Sequence, residues 1–374
     1  MKINGVIIKS LGAVALYTSL SSLGFASCSL APMSDGSASI TTTATVVTPL
    51  NAIMSIPEHV PVGTIIYRGV FDSANKVFVK CTTSSQYYSQ MFITSGSASI
   101  GNVEDYTSAF VAGSLVYPTG LTGVGMVFSN FGASHANNKY VASSICSSAS
   151  GCKFTLGNSV NIYFIKTGTV FPGVINGTSL PVFEQRYGQM NRMVTARKAS
   201  FTGNITITTP TCTTPDVAVD MGNWNINQFS GVGSGTDWVD VSLMMQNCTP
   251  FYGYGAGHVH SSDGSLSYTD SSRSNIFSLT LTPLFGVTGD GSDGIMNISG
   301  GSGAADGVGI QLGFATTGSP SSNLVNYTQP TNWALNNSGA SAFRMPLAAR
   351  YIQTKETITS GRADGKLTFT LSYK

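Results

Sequence analysis

Six cysteines, four histidines and a small stock of acids are the raw material for any chemistry this chain could do. Gly257-His-Val-His260 would place His258 and His260 on one face of a strand, but no cysteine or carboxylate stands nearby to complete a metal-ligand set. Asp290-Gly-Ser-Asp293-Gly294 resembles the start of a calcium loop without the acidic residue that would close it, so a turn is expected there. Cys146 and Cys152 have no second close cysteine pair and no His cluster beside them, which argues for disulfides over a metal centre. No serine nucleophile elbow, no paired carboxylates at a strand end and no phosphate-binding glycine loop is found. The expectation is a protein with no catalytic residues, no metal and no cofactor.

The cysteines gain meaning from the first residues. Lys2 and Lys9, an apolar run from Leu11 to Leu20, and Gly24-Phe25-Ala26 ahead of Ser27 have the form of a secretory signal peptide, residues 1–26. Phe25-Ala26-Ser27-Cys28 also admits a lipoprotein signal, against which the bulky Phe25 counts. No later stretch approaches the ~20 apolar residues of a membrane-spanning helix. An exported chain with an even number of cysteines is expected to form disulfides. Sequence leaves their connectivity open; proximity and domain division favour Cys28 with Cys81, Cys146 with Cys152, and Cys212 with Cys248.

The elements that must position these residues are strands. Charged residues make up only 10% of the chain and the net charge is +2, so helices with charged outer faces and a basic surface for nucleic acid are both excluded. Period-two alternation runs through Ile40-Thr-Thr-Thr-Ala-Thr-Val46, Val62-Gly-Thr-Ile-Ile-Tyr-Arg68, Lys76-Val-Phe-Val-Lys-Cys81, Val160-Asn-Ile-Tyr-Phe-Ile-Lys166 and Val239-Asp-Val-Ser-Leu-Met-Met-Gln246. Turn-forming clusters such as Ser147-Ser-Ala-Ser-Gly151 separate them. The fold class is all-β, two β-sandwich domains. Length supports two domains: 27–195, a short polar linker 196–200 marked by Arg192, Arg197 and Lys198, and 201–374. The glycine-rich stretch 286–309 is expected to connect strands within the second domain.

The last residues, Lys366-Leu-Thr-Phe-Thr-Leu-Ser-Tyr-Lys374, put Leu367, Phe369, Leu371 and Tyr373 on one face and Thr368, Thr370 and Ser372 on the other. That is a strand with an apolar inner face and a wet outer one. Three features together carry a resemblance. They are this strand with its penultimate Tyr373 and preceding Gly361 and Gly365; Thr211-Cys212 followed by Val217-Ala-Val-Asp-Met-Gly222 and Cys248; and Gly307-Val-Gly-Ile-Gln-Leu312 followed by Ala348-Ala-Arg-Tyr351. Over most of residues 200–374 the chain resembles the pilin-like subunits of chaperone-usher fimbriae, in particular their two-domain (type 1-like) tip adhesins.

The resemblance implies that the second domain is an incomplete immunoglobulin-like pilin domain lacking its last strand, with an open groove along Leu367, Phe369, Leu371 and Tyr373. A periplasmic chaperone would fill the groove first, an outer-membrane usher would assemble the fibre, and an adjacent subunit would supply a donor strand by β-strand addition. The extra first domain then implies a fimbrial tip adhesin, exported through the periplasm to the cell surface, that attaches to a host glycan. The alternatives are a structural tip or minor subunit without glycan binding, and an adhesin for a protein receptor. Shallow sugar sites combine amides or carboxylates with an aromatic, which makes Glu104-Asp105-Tyr106, and His135 with Asn137, Asn138 and Tyr140, the candidate clusters. From them Asp105, Tyr106, Asn137, Asn138 and Tyr140 are the candidate ligand contacts; the plain alternative is that both clusters are solvated loops. Of Tyr87 and Tyr88, alternation sends one inward and one outward. All three tryptophans, Trp224, Trp238 and Trp333, fall in the second domain.

Overall fold

The computed structural model describes residues 27–374 apart from 33–38, 41, 73–75, 97, 111, 130–139, 157–158, 262–265, 270–272, 316–319 and 336–339. The expected signal segment 1–26 and candidate contacts Asn137 and Asn138 therefore lie outside the described residues. Within them the protein is built from strands, interrupted only by short single turns of 3-10 helix.

In the first half, strands Ser85–Ser95, Val182–Gln189 and Arg192–Thr208 form the middle of one sheet. Strands Ile65–Asp72, Ser159–Lys166 and Val124–Ser129 form the middle of a second. Between them lies a dry core that includes Leu50, Ile66, Phe128, Phe164, Phe183 and Ile205. A third, smaller sheet pairs Lys76–Cys81 with Cys28–Leu30 and Cys152–Leu156, and covers a separate cluster around Val79, Tyr87, Tyr187 and Ala196. The second half has its own core, from Leu243 to Ala349, walled by strands Val308–Phe314 and Leu347–Gln353 on one side and Ile276–Pro283 on another. Cys28–Cys81, Cys146–Cys152 and Cys212–Cys248 are disulfides.

Residues 196–200, expected as a linker, are instead the middle of the 17-residue strand Arg192–Thr208. The physical reason is a bulge. Gln185 pairs with Arg197 but Arg186 pairs with Thr195, so Ala196 is skipped and both it and Arg197 turn inward, Arg197 to 1% exposure. Two basic residues that read as a polar junction are thus a buried guanidinium and a half-buried Lys198. The strand serves both first-half cores, Ala196 in one and Ala199, Phe201, Ile205 and Ile207 in the other. The core changes only after Thr208.

The alternation at Val239–Gln246 also breaks in two. Asp240 accepts hydrogen bonds from the backbone N–H of Ser242 and from its hydroxyl, at 2.9 and 2.5 Å. That turn ends strand Val239–Asp240 and starts Leu243–Met245, which pairs with a different partner.

The halves are joined by more than the covalent chain. Strand Ala256–Ser261 crosses from the second half and pairs in parallel with Ile65–Asp72, with Leu266–Thr269 completing a hairpin outside it. Gly255 N–H donates to the Ile66 carbonyl at 2.7 Å, and Tyr254 packs on the first-half core. Beside the crossing sits a polar staple around Ser55. Its N–H donates to the Gly253 carbonyl, its hydroxyl donates to the Pro250 carbonyl and accepts from Tyr252 N–H, and its carbonyl accepts from the amide of Asn275, which is fully buried.

Candidate functional site

The terminal strand Leu367–Tyr373 pairs antiparallel with Ile276–Pro283 along one edge, with Phe277 opposite Tyr373, Leu279 opposite Leu371, Leu281 opposite Phe369 and Pro283 opposite Leu367. Among the described residues no strand pairs with its other edge. On the partner strand Phe277, Leu279 and Leu281 are almost fully buried, whereas Leu367, Phe369, Leu371 and Tyr373 are each only half-buried against the same core. The Tyr373 ring lies 5.3 Å from Phe277 and 6.0 Å from Phe251, stacked on the latter. Burial pushes its phenol pKa up, partly offset by the Cys212 backbone.

The segment that leads away from Cys212 begins beside this strand. Thr213 still bridges to Gln246, after which residues 214–222 run without regular strand pairing. The Cys212 backbone meets the Tyr373 phenol, and the Tyr351 hydroxyl donates to the Ala363 carbonyl at 3.0 Å. Val217 is exposed and Met221 packs on the core edge. Cys212, Met221 and the apolar row of the terminal strand all pack on the same core. Unpaired backbone on an edge with apolar side chains beneath it is a template for a further strand.

The first-half candidates are placed less suggestively. The Asp105 carboxylate accepts from Asn102 N–H at 2.9 Å and Glu104 accepts from Gly113 N–H, so both acids close the local loop. Tyr106 packs on the small cluster of Val103, Val116, Val127 and Ile165. Tyr140 opens strand Tyr140–Cys146 opposite Gln90. Tyr87 is buried and Tyr88 half-buried, its hydroxyl donating to the Gln86 side chain. Asp290 likewise closes a turn, accepting from the backbone and hydroxyl of Ser292. The crossing hairpin and the Ser55–Asn275 staple had no signal in the sequence. Asn275 sits in a run of polar residues, and only the fold shows what it holds.

Residues 199–374 match the fimbrial protein family. The second half, just under half of the chain, is thus similar to a fimbrial protein domain. Among solved structures, the CupB6 tip adhesin of Pseudomonas aeruginosa is 12% identical, with 85% of this chain and 89% of that one covered at a TM-score of 0.33. A type I fimbria protein of Burkholderia pseudomallei is 21% identical, covering 44% of this chain and 99% of its own at 0.27. CfaE, the adhesive subunit of the CFA/I fimbria of enterotoxigenic Escherichia coli, is 10% identical, covering 88% and 92% at 0.23. These superpositions are loose and carry no functional weight. No curated protein matches the chain. The fimbrial domain therefore rests on the family match, which begins within the strand Arg192–Thr208 and runs through the terminal strand.

Proposed function

We propose that the chain is the adhesive subunit at the tip of a chaperone-usher fimbria, its fimbrial domain docking by accepting a donor strand and its first half binding a glycan on a host surface. The observation that carries the docking is the half-buried apolar row Leu367, Phe369, Leu371 and Tyr373 on an edge strand. A donor strand seated there would bond to the free edge and bury the row, completing an immunoglobulin-like sandwich. A periplasmic chaperone would hold the same edge before the usher passes the subunit to its neighbour. On this reading the division between binding and docking domains is drawn between Thr208 and Cys212, a choice supported by the change of core there.

The test is periplasmic capture. Full-length protein carrying Leu371→Asp is co-expressed with a periplasmic chaperone of the chaperone-usher class. Loss of co-purification, with wild-type captured, is expected; undiminished capture of the variant refutes the groove. Glycan adhesion is tested separately on a glycan array, where silence of folded wild-type favours a protein receptor or a structural tip.

A further inference from the structure

Outside the groove, one surface of the first half departs from what folding alone asks of it. Strands Ala44–Ser55, Arg192–Thr208 and Gly173–Asn176 lie side by side in one sheet. Their inward residues Leu50, Ile175 and Ile205 are fully buried. On the outward face the register brings Asn51, Asn204 and Asn176 into a single row across the three strands, and all three are exposed. Asparagine is depleted in strands, so three in one row is not what sheet formation selects.

The row is also built. Gly203 has φ of +71°, and a side chain there would strike the Asn51 amide oxygen and the Leu50 carbonyl. A side chain at Gly177 would strike the Thr202 carbonyl. Glycine at both positions lets the three strands carry the row. The Asn176 amide oxygen accepts from the backbone N–H and hydroxyl of Thr178 at 3.0 and 2.8 Å, which holds its orientation. Neither Asn51 nor Asn204 side chain forms a hydrogen bond among the described residues. The amides recur at the strand spacing of about 4.8 Å, Asn51 and Asn204 each offering a donor and an acceptor and Asn176 its NH2 donors.

Apolar side chains border the amides. The adjoining row is Ile53, Thr206 and Val174, with Ile53 51% and Val174 53% exposed. On the other side lie Pro49 and Val47, the latter 54% exposed. Phe171, 58% exposed, stands two residues before the strand that bears Val174 and Asn176. No charged side chain occurs in these rows; the first is Lys198, and it is paired in register with Glu184.

Paired donors and acceptors between branched apolar groups, without charge, fit a ligand with alternating hydroxyls and apolar C–H faces. We infer that the Asn51–Asn204–Asn176 row is the receptor-binding strip and that its ligand is a neutral saccharide. This deepens the glycan reading above and rests on it. Sialylated or sulfated chains gain nothing here, because no cation faces them.

The experiment uses full-length protein made in an oxidising compartment and an array of neutral oligosaccharides alongside their sialylated and sulfated counterparts. Wild-type is expected to bind neutral glycans, and Asn51→Ala and Asn204→Ala each to weaken that binding about tenfold, the loss of one or two hydrogen bonds, with unchanged melting. Neutral-glycan binding unaffected by either substitution overturns the strip while the glycan reading stands. Binding confined to acidic glycans overturns the proposed ligand, and silence of folded wild-type across the array overturns both readings.

Discussion

Replacing Asn275 by alanine should loosen the junction between the halves by an amount the geometry sets. The residue is fully buried, donates from Nδ2 to the Ser55 carbonyl at 3.0 Å and accepts at Oδ1 from Gly253 N–H at 2.9 Å. Alanine removes both partners at once and leaves a carbonyl and an N–H facing each other's vacated side with little access to water. An unsatisfied buried polar group costs about 1–3 kcal/mol, so the two together place the loss at about 2–6 kcal/mol. All three tryptophans lie beyond residue 208, so their fluorescence follows the second half while far-ultraviolet dichroism follows both. The assay is urea denaturation of the full-length disulfide-bonded chain read by both probes. Because the staple ties strand end Ser55 to the start of strand Ile276–Pro283, both transitions should move to lower urea in Asn275→Ala. A change below about 0.5 kcal/mol in both, the scale of an ordinary surface substitution, would refute the reasoning, as would a shift confined to the fluorescence transition.

Three further outcomes follow from the same geometry. Deleting 256–269 uncovers the edge of Ile65–Asp72, and the shortened chain should self-associate in size-exclusion chromatography with light scattering; a monodisperse monomer at high concentration would contradict the hairpin's role. Gly203→Val should cost about 1–3 kcal/mol in urea melts, since valine disfavours a positive φ and its side chain meets Asn51 and Leu50; a neutral substitution would show that the strand relaxes freely. Burial raises the Tyr117 phenol to about 12 from 10.0. The folded state therefore holds that proton more tightly, and its stabilising contribution is complete below pH 10 and lost as pH rises through about 12. Tyrosinate absorbance of the folded chain should show this phenol ionising late, and in Tyr117→Phe the late fraction should shrink by one phenol, the buried Tyr327 remaining in it.

The sequence carried the architecture where alternation was undisturbed. The terminal strand was legible because Leu367 to Tyr373 alternates without a break and pairs in continuous register. The linker was misread because a one-residue bulge at Ala196 inverts the alternation locally, and charge alone then resembles a junction. Cysteine pairing was near the limit of what sequence can resolve: Cys81 stands in register opposite both Cys28 and Cys152, so the pairing of strands alone does not choose its partner. The parallel crossing of Ala256–Ser261 onto Ile65–Asp72 joins residues nearly two hundred positions apart, with no turn between them to announce it. The outward asparagine row was invisible for a related reason. Asn51, Asn176 and Asn204 each look like an ordinary polar residue until three separate strands bring them into line.

The central claim, that the terminal strand offers an open edge for a partner, is tested most directly by amide hydrogen exchange over residues 367–373 in the full-length chain, free and captured by its chaperone. In the free protein about half of these amides should exchange slowly, those directed at Ile276–Pro283, and the alternate ones quickly. Capture should bring the fast set into protection. Uniform slow exchange in the free chain, or no change on capture, would contradict the account.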